Sequence, residues 1–311
     1  MIDSTLYPNC AHIVSTLTGI WPEHERFTMQ SFSGREDELM RSSEAHASVV
    51  RRMAGSQERL ERYCQDYQFL CMRVLEEEIY FRRNDRYRLE KFEDALAEVY
   101  SNREFMDKYM NFLLLSHVLW DNHARAMAHF QSQYLPSIQD RARHLEIGPG
   151  HGLLLHLAAQ SPRVGSLTGW DVSATSIEQT RHCLDVLGES RSVALVLQDL
   201  FEAPPSDGAS RYDSVVMAEV LEHLEDPVAA LKAVSRHMAP GGSLWIHVPV
   251  NSPAPDHLYL LRTPEEAVEL VRAGGFEPYE AAFYPMSGQK LERARRLNLT
   301  ISVVISAKLL D

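Results

Sequence analysis

The chain has 311 residues, 45% hydrophobic and 24% charged, with a formal net charge of −12. That composition is globular and long enough for two cores or one large one, and its acidity argues against nucleic acid as a partner. Cysteines 10, 64, 71 and 183 form no C-x-x-C pair, no basic stretch leads into a long apolar one at the N-terminus, and no run reaches transmembrane length, so the expectation is a cytoplasmic protein with no membrane partner.

Residues 1–34 carry Pro8, Gly19, Pro22 and Gly34 and predict irregular structure or one short helix. Residues 35–134 hold one glycine, Gly55, and no proline, which predicts long helices. Within 58–81, Leu60, Tyr63, Cys64, Tyr67, Leu70, Cys71, Val74 and Phe81 keep helical spacing. Residues 86–100 read as a further helix. Ser101, with Glu104 three residues on, reads as a capping box for the next. That next helix, from Phe105 to Val118, is apolar nearly all round, as expected of a buried helix that lines a pocket or a dimer seam. Trp120, His123, Met127, Phe130 and Tyr134 then fall on one face, and Pro136 closes the region. The expected division is a helical lid or dimerisation domain over 1–137 and a second domain over 138–311.

From residue 141 strands and helices alternate, the pattern of an α/β fold with a mostly parallel sheet. Strands are expected at 143–147, 166–170, 192–197, 214–217, 242–248, 277–284 and 300–309, the last two as an antiparallel pair. Ser173, Asp226-Pro227 and Thr263-Pro264-Glu265-Glu266 supply helix-start signals, and Gly274 a helix-end signal.

Function concentrates in His144-Leu145-Glu146-Ile147-Gly148-Pro149-Gly150-His151-Gly152. An apolar strand carrying an acid runs into three alternating glycines and an apolar helix. Such a turn lets a ligand approach the backbone at a positive helix end. Asp171 closes the second strand, where an acid accepts two ribose hydroxyls. Asp199 follows the third strand, Ala218-Glu219-Val220-Leu221-Glu222-His223 the fourth, and Pro240-Gly241-Gly242 precedes the fifth.

This series resembles the class I, Rossmann-like S-adenosylmethionine-dependent methyltransferases over residues 141–311. The resemblance implies a seven-stranded, mostly parallel sheet with an antiparallel last strand. It places the cofactor's methionine end over Glu146, Gly148, Gly150 and Gly152, the ribose at Asp171 with Val172, the adenine at Asp199 and Leu200, and the acceptor side at Ala218 and Glu219. The expected product is S-adenosylhomocysteine. No metal belongs to the expected cofactor set. Glu219, Glu222 and His223, with His247 or His257, nevertheless make the kind of cluster that some similar enzymes use for a divalent cation, among them quinone-biosynthesis and small-RNA 2′-O-methyltransferases.

The sulfonium methyl is already activated, so the protein must align a nucleophile and exclude water. A hydroxyl acceptor gains from a base, and His223, His123 and His117 are the candidates. Six residues separate His117 from His123, too many for one face of an unbroken helix, but Trp120 is three from each. Tyr109, Phe112, Trp120 and Phe130 suit an apolar or aromatic molecule. The expected activity is O-methylation of a small or medium-sized molecule of specialised metabolism, with a homodimer possible through the N-terminal helices. Methylation of a peptide or protein carboxylate, and a non-catalytic interaction module, are the alternatives.

Overall fold

Strands β1 Ala142–Ile147, β2 Val164–Asp171, β3 Val193–Leu197, β4 Tyr212–Ala218, β5 Met238–Val250, β6 Phe276–Pro285 and β7 Ile301–Leu309 make one sheet in the order β3-β2-β1-β4-β5-β7-β6. The structure, a computed structural model, describes residues 2–189, 191–202 and 211–310. β1 to β5 pair in parallel, and β7 runs antiparallel between β5 and β6. The inner strands are buried on both faces, as helices on both sides require. Strand order reverses beside β1, between β2 and β4, and a crevice opens there at the carboxyl ends.

The N-terminal part is helical: α1 Pro8–Ile20, α2 Glu25–Phe32, α3 Asp37–Ala54, α4 Gln57–Asn84, α5 Phe92–Ala95, α6 Arg103–Leu119 and α7 Asp121–His129. Two π-helical turns, Leu96–Tyr100 and Phe130–Tyr134, extend α5 and α7. A short α8 Leu135–Ser137 leads to the sheet, which is flanked by α9 Leu153–Ala159, α10 Ala174–Val186, α11 Pro227–His237, α12 Pro264–Ala273 and α13 Leu291–Arg296.

The N-terminal segment is more helical than its prolines suggest. Pro8 occupies the first turn of α1, and Pro22 opens a 3-10 turn, positions where a missing N–H costs nothing. Helix is absent over 86–91, because Asp85 ends α4 in the left-handed region (φ 53°), and resumes at Phe92. The cap of α6 is Asn102, whose side chain accepts from Phe105 N–H at 3.1 Å, while Ser101 belongs to the preceding turn. After α12 the left-handed residue is Gly275 (φ 95°), one beyond Gly274. Ser173, Asp226 and Thr263 cap α10, α11 and α12 as their sequence positions predict. Pro240-Gly241-Gly242 lies inside β5, opposite an irregularity between Tyr212 and Ser214.

The helical cap and the sheet share a core. Phe130, Tyr134, Leu155 and Trp245 belong to one cluster and are fully buried. Each contributes on the order of 1.5–3 kcal/mol by leaving water. The Tyr134 hydroxyl reaches Ser214 Oγ at 2.8 Å and the carbonyls of Ser243 (3.1 Å) and Val215 (3.3 Å), pinning the end of the cap to β4 and β5.

Candidate functional site

A cavity of about 490 Å³ lies at the carboxyl ends of β1, β2, β4 and β5, beneath α6, α7 and the Phe92–Tyr100 segment. Its sheet-side floor contains Glu146, Gly148, Gly150, Asp171, Val172, Ala218 and Glu219. The cap supplies an apolar wall of Phe92, Leu96, Met106, Tyr109, Met110 and Leu113. His117, His123 and His223 all line the same space, with His151 and His247.

Gly148 holds φ +66°, donates its N–H to Trp170 O at 2.8 Å, and would press a Cβ against Val220 at 3.0 Å. Gly152 holds φ +76° and backs onto α10, where a Cβ would meet Thr180 Cγ2 at 3.0 Å. Gly152 thus packs the turn against α10, and it is not among the cavity-lining residues. Asp199 and Leu200 lie outside the cavity as well. The Asp199 carboxylate accepts from Phe201 N–H at 2.9 Å, and Leu200 is buried in the core beneath β1 and β4. The strand they follow, β3, nevertheless pairs with β2, with Leu197 beside Asp171.

The acids of the floor are poorly solvated. Burial lifts Glu146 well above the carboxylate range, and its Oε2 has no hydrogen-bond partner. Burial also raises Asp171 to about 6, against the pull of backbone N–H groups that include Ser173 at 2.8 Å. Glu219 takes a left-handed backbone (φ 54°) at the end of β4, an uncommon conformation for a non-glycine residue that marks functional sites. Burial raises its carboxyl too, and Oε1 stands 3.1 Å from His247 Nε2. Desolvation pushes His123 down to about 3 and His151 to about 4, and it also lowers His117 and His247 well below the usual imidazole range, which favours the neutral form of all four rings.

The break between α6 and α7 at Trp120 brings His117 and His123 together, with ring centroids 5.6 Å apart. Trp120 stacks edge-on against His123 at 4.9 Å. Ser116, which carries no signal in the sequence, reaches His123 Nδ1 at 2.9 Å. His151, inside the glycine turn itself, reaches His117 at 3.0 Å.

His223 belongs to a second cluster. Its Nδ1 faces Asp256 O at 3.2 Å and the Tyr100 hydroxyl at 3.1 Å, and Tyr100 also donates to the fully buried Asp256 carboxylate at 3.0 Å. His257 turns Nδ1 to Ser252 O at 2.6 Å. Both rings therefore present the Nε2 lone pair to Glu222 Oε1, at 3.8 and 4.0 Å. Neither buried oxygen of Glu222 has a hydrogen-bond partner. One carboxylate and two oriented imidazoles, with ligand atoms within 4.8 Å of one another, fit a divalent cation. Glu219 and His247 stand outside that triad. Asn251 has a structural role, donating to Arg262 O at 2.8 Å, whereas Asp256 lines the cavity.

A family model described as a methyltransferase domain matches residues 119–297. Among curated proteins, the ubiquinone biosynthesis O-methyltransferase of Alkalilimnicola ehrlichii is 29% identical over 146 residues, covering 47% of this chain and 56% of that relative. Its counterpart in Vibrio vulnificus is 27% identical over 131 residues, covering 42% and 53%. The chain thus spans about half the length of the curated relatives it matches. Among solved structures, a putative sarcosine dimethylglycine methyltransferase from Galdieria sulphuraria aligns at TM-score 0.47 and 14% identity, over 60% of this chain and 87% of that one.

Proposed function

The chain belongs to the methyltransferase-domain family, and from that premise we propose that it moves a methyl group from S-adenosylmethionine to an oxygen of a small or medium-sized molecule, leaving S-adenosylhomocysteine. The observation that carries the proposal is a cavity in which the glycine turn, Asp171 and Glu219 face an apolar wall of the helical cap. S-adenosylmethionine supplies, when bound, a methyl already activated on a sulfonium. The residues present fit it: a buried carboxyl at Glu146 with one oxygen left without a partner, a backbone cradle at Gly148 and Gly150, and an acid at the end of β2. Asp171 would accept the ribose hydroxyls beside Val172, and Ala218 and Glu219 would border the reacting centre. Asp199 and Leu200 keep the adenine end in this proposal, supported by the pairing of β3, which they follow, with β2.

The protein's own work is alignment, exclusion of water and proton removal. The cap closes over the cavity, and His123 serves as base. Its Nδ1 is engaged by Ser116, which leaves Nε2 for the acceptor's proton. Glu222, His223 and His257 would hold a divalent cation, whose charge would favour an ionised oxygen nearby.

Among the described residues that line the cavity there is no Lys or Arg, so a peptide or protein carboxylate finds no cationic side chain. The volume of about 490 Å³ and the apolar wall support a compact acceptor, as in specialised metabolism. Cys10, Cys64, Cys71 and Cys183 are free thiols, which supports a cytoplasmic setting. Among the described residues no helix is long and apolar enough to cross a membrane. A second copy is proposed on the exposed stripe Phe69, Met72, Leu75 and Ile79 of α4. Antiparallel pairing centred on Met72 would set exposed Glu61 opposite exposed Arg83 of the other copy.

Calorimetry with S-adenosylmethionine and S-adenosylhomocysteine tests the central claim. Both are expected to bind, and Asp171→Ala is expected to weaken both. No binding, or binding indifferent to Asp171→Ala, defeats the proposal and favours the non-catalytic module.

A further inference from the structure

Three histidines of the cavity wall have their tautomers fixed by their hydrogen-bond partners. His151 Nδ1 accepts from Leu153 N–H at 3.1 Å, so the proton of the neutral ring sits on Nε2. That Nε2–H donates to His117 Nε2 at 3.0 Å. The proton of the neutral His117 ring is therefore on Nδ1, an atom that is buried and has no hydrogen-bond partner. Ser116 spends its hydroxyl proton on Leu113 O at 2.8 Å, so its oxygen accepts from His123 Nδ1–H at 2.9 Å. His123 is left with a bare lone pair on Nε2. The cavity wall thus carries one imidazole fixed as a donor and, 5.6 Å away, one fixed as an acceptor.

We infer that His117 and His123 together recognise a single hydroxyl of the methyl acceptor, His117 Nδ1–H donating to its oxygen and His123 Nε2 taking its proton. The inference rests on the methyl-transfer reading and deepens it from oxygen in general to a hydroxyl. An ammonium has no lone pair for His117, and a carboxylate has no proton for His123. During transfer the O–H proton passes to His123 Nε2 to give an imidazolium. An oxygen electron pair forms the new O–C bond as the S–C bond breaks, and the sulfur keeps that bond's electrons. The imidazolium returns its proton to water once the products leave. His123 and His117 are catalytic residues in this account. Ser116 and His151 are positioning residues, since each acts only by fixing the tautomer of the ring beside it.

Nitrogen-15 NMR of the imidazoles reads the tautomers directly in the unliganded protein. The expected result is Nδ1–H at His117, Nε2–H at His151 and Nδ1–H at His123. Para-cresol should shift both His117 and His123, its methyl ether His117 alone, and para-toluate neither. His117→Gln keeps an acceptor for His151 and removes the Nδ1–H donor. It should weaken para-cresol binding about 2- to 12-fold, the worth of one neutral hydrogen bond, and leave S-adenosylhomocysteine affinity unchanged by calorimetry. His117 with its proton on Nε2, para-cresol shifting neither ring, or unchanged para-cresol affinity in His117→Gln would each overturn the inference. Should His117→Gln not fold, Ser116→Ala gives the second reading. Loss of the Ser116 oxygen should let His123 populate both tautomers, and a tautomer unchanged by that loss overturns the inference as well. Absence of S-adenosylhomocysteine binding with all three tautomers as assigned would count against the methyl-transfer reading instead.

Discussion

Replacing Asp171 by Asn separates two effects of one carboxylate. Burial raises the Asp171 carboxyl from 3.8 to about 6. For an acid raised on folding, the associated stability is complete below the unfolded value and is lost as pH rises through the folded one, here between 3.8 and about 6. Near neutral pH the ionised group therefore works against the fold. A rise of about 2 pH units corresponds to at most about 3 kcal/mol. Asn is neutral throughout and keeps an oxygen for Ser173 N–H, now at 2.8 Å. Asp171→Asn should raise Tm near neutral pH by up to about 6 °C, at about 2 °C per kcal/mol for a chain of this size. At about pH 4, where most of the carboxyl is already protonated, the gain should vanish. Affinity should move the other way. Loss of a charged acceptor for hydroxyls costs about 1.5–3 kcal/mol, so S-adenosylhomocysteine should bind about 10- to 150-fold more weakly. Thermal melts at the two pH values and calorimetry on the same samples decide the matter. A Tm gain equal at both pH values, or an affinity within about threefold of the parent, refutes the reasoning.

Four further outcomes follow from the packing and the candidate sites. Gly152→Ala combines a left-handed backbone with a Cβ at 3.0 Å from Thr180 Cγ2. It should cost about 1–3 kcal/mol in urea unfolding, and Thr180→Ser in the same chain should recover part of that. Tyr134→Phe removes a hydroxyl shared by Ser214, Val215 and Ser243, with an expected loss of about 1–2 kcal/mol in the same assay. Titration with Mn²⁺ followed by electron paramagnetic resonance should show a bound ion in the parent and none in Glu222→Ala, and a parent that leaves all Mn²⁺ free removes the cation from the proposal. Sedimentation should show a dimer that Met72→Glu dissociates, since the change places a charge in the middle of the α4 stripe, and a monomeric parent ends that idea.

Elements with local signals were legible in the sequence. Ser173, Asp226 and Thr263 cap where their spacing says, because a cap depends on the next three residues alone. The strand–glycine turn–helix unit, and the place of Asp171 at the end of β2, were legible for a similar reason, since left-handed turn positions demand glycine at fixed offsets. Features set by tertiary partners were not. The loop over 86–91 buries Tyr87 and Leu89 and ties Arg88 to Glu77, contacts that no periodicity encodes. Trp120 ends α6 because its ring packs against Phe112 and His123 and its indole N–H reaches Tyr67 at 2.7 Å. That break brings His117 to His123, and the spacing of the two residues contains no trace of it. His151 stands within the most readable motif of the chain, yet its purpose appears only when α6 lies across the turn.

The core shared by Phe130, Tyr134 and Trp245 also bears on how such a protein can change over time. Recombination between the helical part and the sheet would part Tyr134 from Ser214 and Ser243 and expose Trp245, so exchanging the cap for another should cost stability. The Phe92–Tyr100 segment, by contrast, sets Phe92, Leu96 and Tyr100 against the cavity without belonging to that core, so a change there reshapes the cavity without disturbing the junction. A laboratory search for new acceptors would do best to randomise Phe92 and Leu96 and to leave intact both the junction and Tyr100, which holds His223 and Asp256.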